Sequence, residues 1–348
     1  MKKDVELLSR VGDLSQVMGA KEYMMMDGKS KGVRTLEVRN GGGLEFTVVE
    51  DRCLDLCDVR FKGVNMSYMS KTGIVNPLYN SDGKNFFRVF TAGFLTTCGL
   101  RNVGDPCTDG GEEFGIHGRI GSLPAEEISH ETIWNNGKPE VVIKGNVREA
   151  AFFGENLKLH REIRCVYGEN VIHLQNEVEN MGFRDERLML LLHFNIGFPF
   201  LDKGTRFLSS SKEVEPRDAE AAVGIKDYHV MHEPVKDYPE QVFYHELKTD
   251  QNGNTKVGFV NDQLQMGISL TFSRAQFPNF TQWKQMGQGE YVAAMEPCNC
   301  FVGGRNDLRN KEIQCILSPF EKKRFDIDIR FYAGTEELLQ LEDSIKCL

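Results

Sequence analysis

The chain has 348 residues, 40% hydrophobic and 27% charged, which suits a globular protein with a sizeable core. Its formal net charge of -9 argues against nucleic acid as the main partner, because a phosphate backbone needs a basic face. No apolar run approaches the roughly 18 residues of a membrane span, and the start Met1-Lys2-Lys3-Asp4-Val5-Glu6 lacks the apolar core of a signal peptide. Nine cysteines without regular spacing then read as reduced thiols, so the expected setting is the cytoplasm, with no membrane partner.

The apolar spacing of Leu7, Val11, Leu14 and Met18 predicts an N-terminal helix, interrupted by Gly12. Beyond it the pattern is that of strands: 44–49, 140–147, 157–166, 171–178, 188–195, 241–247, 266–272, 291–295, 312–317 and 325–331. In 171–178, Ile172, Leu174 and Val178 point one way while His173, Gln175 and Glu177 point the other. Phe and Ile alternate with Asp and Arg through 325–331. Turn signals such as Asn135-Asn136-Gly137 and Asn252-Gly253-Asn254 separate strands, and Pro297 is expected to end the ladder of 291–295. At the end Thr335 can cap a helix with Glu336 and Glu337 in its first turn and Leu338, Leu341 and Ile345 as its buried stripe. No linker, repeat or boundary divides the chain. The expected fold is all-β: one domain, 1–348, a large antiparallel β-sandwich with a few peripheral helices.

Three segments place proton-handling side chains in unusual settings. His117 stands in Gly115-Ile116-His117-Gly118, where glycine allows close backbone approach to a ligand. His193 ends the apolar run Leu188-Met189-Leu190-Leu191-Leu192, its neighbours Leu192 and Phe194 facing the other way. Glu296 follows the apolar strand Tyr291-Val292-Ala293-Ala294-Met295 and precedes Pro297. A carboxylate there is costly unless something uses it. Two imidazoles and a carboxylate can move protons with neither a metal nor an organic cofactor.

These segments, with Leu191-Leu192-His193-Phe194-Asn195-Ile196-Gly197, resemble the galactose mutarotase (aldose 1-epimerase) superfamily, especially its epimerase-like branch. The resemblance covers most of the chain and implies the mutarotase supersandwich and a small-molecule sugar as partner. It implies that Glu296 takes the proton of the anomeric hydroxyl, that His193 protonates the ring oxygen, and that His117 steadies the ring. Glu50-Asp51-Arg52-Cys53-Leu54-Asp55-Leu56 is similar to the early strand pair of that branch. Gly99-Leu100-Arg101-Asn102-Val103-Gly104 stands where the family's arginine and asparagine touch sugar hydroxyls, so either Arg101 or Asn102 takes that role. Glu240 of Glu240-Gln241-Val242-Phe243 stands for a sugar-binding aspartate. Trp283 can stack on a sugar face, and Arg52, Lys284 and Arg305 can bind an anionic group on the substrate.

Other classes find less support. No Gly-x-Gly-x-x-Gly precedes a helix, no phosphate-cradling Gly-x-x-x-x-Gly-Lys-Ser/Thr occurs, and Gly-x-Ser-x-Gly is absent. Cys298-Asn299-Cys300 lacks zinc spacing. Two rivals to a mutarotase stand: a metal-dependent sugar isomerase using His117, His193, Glu240 and Glu296 as ligands, and a non-catalytic sugar-binding or sensing protein.

Overall fold

The computed structural model describes residues 4–80, 83–310 and 315–348. Its body is three antiparallel sheets. Strands Gly19–Met24, Arg34–Arg39, Leu44–Val49, Asp55–Phe61 and Val64–Asn65 pair in chain order as the first. The second has nine strands. It runs from Ala125–Asn135 through Lys138–Ala150, Asn156–Val166 and Val171–Asn180 to Ile327–Ala333, then Met266–Ser273, Asn254–Asn261 and Arg206–Ser209, with Lys322–Arg324 beside Val171–Asn180. The third carries the site. Its members are β1 (Leu95–Leu100), β2 (Met189–Ile196), β3 (Ser211–Pro216), β4 (Gln241–Leu247), β5 (Asn279–Gly287) and β6 (Glu290–Cys298), in the spatial order β3-β4-β5-β6-β2-β1.

The alternation read from the sequence sets what faces the core. Ile172, Leu174 and Val178 are fully buried, and His173, Gln175 and Glu177 are not. One apolar cluster draws Leu36 and Val48 from the first sheet, Ile163 and Ile329 from the second, and Leu192, Phe194 and Met295 from the third. The turn at 135–138 has positive φ at both Asn136 and Gly137, as a tight hairpin of this hand requires.

A buried polar knot ties the three sheets. Arg161 is 2% exposed. Its guanidinium donates to Asp55 Oδ1 (2.7 Å), the Cys53 carbonyl (2.8 Å), Thr97 Oγ1 (2.8 Å) and Asn176 Oδ1 (2.8 Å). Thr97 lies on β1 and donates its own N–H to Asp55 Oδ2 at 2.8 Å.

Three local expectations change. The N-terminal apolar spacing does not make one helix. It breaks into the helix Val5–Leu8 and a 3₁₀ turn Leu14–Gln16, with Asp13 accepting from the Ser15 N–H, and only Met18 of that stripe is buried. The terminal helix Thr335–Lys346 buries Leu338, Leu341 and Ile345, but Gly334 occupies the cap position and Thr335 instead donates to Gln265 Oε1. Pro297 does not end its strand: β6 runs to Cys298, with Pro297 opposite Phe280. On the other side, β2 and β6 pair at 191/298 and again from 194/295 to 196/293, and the two rungs at Glu296 and Pro297 are missing. A residue without an N–H is tolerated where a rung is absent. Of the strand expected at 312–317, residues 312–314 lie outside the described residues, and Ile316–Leu317 is a short strand. No helix among the described residues is long and apolar enough to cross a membrane.

Candidate active site

One face of the six-stranded sheet carries the site, and strand parity decides which side chains reach it. His193 pairs with Thr96, Glu296 with Thr281, Trp283 with Ala294 and with Val242. The β2–β6 register, continued through its two missing rungs, sets His193 opposite Glu296. Their side chains approach to 3.3 Å between Nε2 and Oε1. Both are buried, at 5% and 3% exposure. His193 Nδ1 and Glu296 Oε1 are buried without a hydrogen bond of good geometry in the protein, and both residues line the cavity.

His117 comes from the loop between β1 and the second sheet. Its φ is +57°, and Gly118 beside it has φ +71°. A Cβ at Gly118 would lie 2.3 Å from the Gly99 carbonyl oxygen, which makes glycine obligatory there. The His117 N–H donates to the Gly104 carbonyl, and its own carbonyl accepts from Gly99 N–H. The Gly104 N–H donates to His117 Nδ1 at 3.2 Å. An Nδ1 that accepts fixes the neutral ring with its proton on Nε2, so His117 presents a donor. The two imidazoles meet edge to face at 5.9 Å. Phe86 lies 5.2 Å from the His117 ring, and Phe90 and Trp283 lie 6.0 and 5.4 Å from the His193 ring.

The cavity these groups line has a volume of about 500 Å³, within the range of small-molecule sites. Burial dominates the electrostatics of its titratable groups. Burial pushes the Glu296 carboxyl well above the usual range, and the nearby Glu240 charge adds to that while Arg217 opposes it. Burial, and then the adjacent His117, drive His193 down to about 3. His117 is lowered by burial to about 4. Facing groups with displaced affinities are what acid–base chemistry uses.

Glu240 and Trp283 also line the cavity. Trp283 Nε1 donates to Glu240 Oε2 at 2.9 Å, and Arg217 Nη2 donates to Glu240 Oε1 at 3.0 Å. Five expected sugar contacts lie outside this lining, each with other work. Lys284 follows Trp283 and so faces the opposite side of the sheet, where Nζ donates to the carbonyls of Asp227 and Val230, both at 2.9 Å. Arg52 donates to the Val75 carbonyl. Arg101 is paired with Glu112 and Glu155. Asn102 donates its amide to the carbonyls of Asp105 and Gly115, holding the loop that carries His117. Arg305 donates to Asp109 and to the Arg101 and Arg187 carbonyls, with its guanidinium over the Phe114 ring. Among the described residues no three His, Cys, Asp or Glu side chains form a group that could hold a metal ion.

Sequence reading missed Arg217, Phe86 and Phe90. The density of Asn85-Phe86-Phe87-Arg88-Val89-Phe90 was the available signal for the last two; Arg217 had none.

The family model described as Domain of unknown function (DUF4432) matches residues 30–331. No curated protein matches in sequence. Among solved structures, a candidate aldose 1-epimerase from Klebsiella pneumoniae subsp. pneumoniae MGH 78578 superposes with a TM-score of 0.88 at 25% identity, over 94% of this chain and 86% of that one. A galactose mutarotase-like protein from Clostridium acetobutylicum gives 0.65 at 16% identity, over 92% of this chain and 100% of that one. Galactose 1-epimerase from Lactobacillus acidophilus NCFM gives 0.57 at 15% identity, over 91% and 100%. The chain therefore belongs to the DUF4432 family, and it is built on the galactose mutarotase-like sandwich.

Proposed function

We propose that this protein is an aldose 1-epimerase: a single-domain cytoplasmic enzyme that interconverts the α and β anomers of a sugar without metal or organic cofactor. The observation that carries the reading is the buried Glu296–His193 pair, 3.3 Å apart beside His117 in a cavity of about 500 Å³. The fold of known epimerases supports it, and the nine free cysteines suit a reducing compartment.

The pair needs one proton between its two members. Burial penalises both charged forms and so favours the neutral arrangement, with the proton on Glu296, before a sugar binds. A sugar whose anomeric O–H donates to the carboxylate favours transfer of that proton to His193. The catalytic form is then a carboxylate facing an imidazolium. Glu296 takes the proton from O1 as the bond between C1 and the ring oxygen breaks, and His193 delivers its proton to that oxygen. The open-chain aldehyde rotates about C1–C2, and closure on the other face reverses both transfers. His117 Nε2–H donates to the ring oxygen or a neighbouring hydroxyl throughout.

Magnetisation exchange between anomers, followed by NMR across a panel of aldoses beside a binding titration, tests this. A positioned proton-transfer group is worth about 10²–10⁴ in rate. Glu296→Gln and His193→Asn should each lose that much while sugar binding survives, and His117→Asn should lose less. Near-wild-type exchange in Glu296→Gln would refute the assigned base. Binding without exchange in the wild type would make this a sensing protein. Exchange should also persist after chelation. Its loss, with one tightly bound metal per chain, would make this the metal-dependent isomerase.

A further inference from the structure

The cavity has two unlike walls. One is the sheet face, with Glu240, Trp283, Glu296 and His193 offering polar atoms. The other comes from residues 83–91, whose base is closed where strand Tyr68–Met69 pairs with Ala92–Gly93 and Ser70 N–H donates to the Thr91 carbonyl. From this loop Phe86, Phe87 and Phe90 line the cavity. Phe86 and Phe90 stack at 4.8 Å, and both stand beside the histidine pair.

The polar side chains that Tyr68, Ser70, Lys71 and Thr72 bring to the cavity each already have a partner in the protein. Ser70 and Thr72 hydroxyls donate to the Phe90 carbonyl, at 2.5 and 3.0 Å. Lys71 Nζ is paired with Glu290 at 2.5 Å, and Tyr68 donates to the Gly289 carbonyl at 3.4 Å. Across the cavity Arg217 is divided between Asp218 and Glu240. A phosphate or sulfonate thus meets cations already paired with carboxylates. A hydroxyl turned toward the loop meets aromatic carbon and loses hydrogen bonds it had in water, whereas a methyl or methylene there gains contact.

We propose that the substrate is an uncharged deoxyaldose, bound with its methyl or methylene carbon against Phe86 and Phe90. This rests on the epimerase reading above. Phe86, Phe87 and Phe90 then set specificity, and the sheet face holds the reacting end of the sugar.

The test uses sugar pairs that differ only in the C6 hydroxyl: 6-deoxygalactose against galactose and 6-deoxymannose against mannose, in both the D and L series, plus the corresponding 6-phosphates. Anomer exchange and affinity are measured on each. One hydroxyl against an apolar wall discriminates by about 10–200-fold, so at least one deoxy sugar should exceed its parent by about tenfold or more in kcat/KM, and the phosphates should not bind. Phe90→Ser should bring the ratio toward one. Phe87→Ser, at a residue 74% exposed and so outside the core, should narrow it in the same direction. Equal or better exchange of every parent sugar, or tight binding of a 6-phosphate, overturns the proposal. If no sugar exchanges, the epimerase reading fails by itself, and the affinity ratio within each pair still decides the deoxy preference. Absence of binding by every deoxy sugar overturns it as well.

Discussion

At the scale of single residues, the proposed chemistry turns on where one proton rests. Glu296 and His193 face each other, both buried, and burial disfavours charge on both. Burial therefore favours keeping that proton on the carboxyl. An infrared difference spectrum between wild type and Glu296→Gln at pH 7 should show loss of a protonated-carboxyl C=O band; a lost carboxylate band instead would mean an ion pair at rest. His117, His193 and Glu296 were visible in the sequence because each breaks its local pattern: a histidine between glycines, a histidine closing an apolar run, a carboxylate before proline. Arg217 breaks no pattern. It reaches the cavity only because β3 and β4 pair so that Arg217 N–H donates to the Val242 carbonyl, a contact across 25 positions. Arg52, Arg101 and Arg305 look like ligand groups in a sequence, yet they are buried against carbonyls and carboxylates of the protein itself.

At the scale of elements, parity does most of the sorting. Adjacent strand residues face opposite sides, so Trp283 and Lys284 cannot both meet a sugar. The sequence located the strand, but only the register against β4 and β6 says which of the two faces the pocket. Lys284→Met leaves the carbonyls of Asp227 and Val230 without their donor. It should cost about 1–3 kcal/mol in urea unfolding and leave KM for the sugar unchanged; a raised KM with unchanged stability would put Lys284 at the substrate. Trp283→Phe keeps an aromatic ring, a smaller one, but deletes the donor to Glu240. It should weaken sugar binding several-fold, in line with about 1 kcal/mol for one hydrogen bond, with little change in kcat. Strand spans were legible because burial imposes a period of two. The helix expected at the N-terminus was not, because four apolar residues at helical spacing cannot override a glycine and a turn-forming aspartate.

At the scale of the whole molecule, polar groups buried between the sheets hold the site in register. Arg161 binds groups from all three sheets, and Thr97, one residue from the Thr96 that pairs with His193, is among its partners. Arg161→Met strands the Asp55 carboxylate in the core and should cost about 3–5 kcal/mol, read as a lower urea midpoint; a change under about 1 kcal/mol would show the knot to be dispensable. His245 makes the same point through pH. It sits between sheets, with Phe207 from the second sheet at 5.4 Å and Phe280 of β5 at 5.5 Å. Gln282 Oε1 accepts from its Nε2, and the Ser211 hydroxyl is bonded to its Nδ1, so both ring nitrogens are satisfied. Burial lowers it to about 4, the Gln282 bond opposing, against about 6.5 in the unfolded chain. A base with a lowered folded affinity is protonated first in the unfolded state. Its contribution to stability is full above about pH 6.5 and is lost as pH falls toward 4. Between pH 7 and pH 5 the wild type should therefore lose about 2 kcal/mol more than His245→Asn, since that variant has no proton to gain at this position. Urea unfolding of both proteins at the two pH values measures the difference directly. Equal losses would mean that His245 titrates in the folded protein as it does in water, and that the second and third sheets do not close over it.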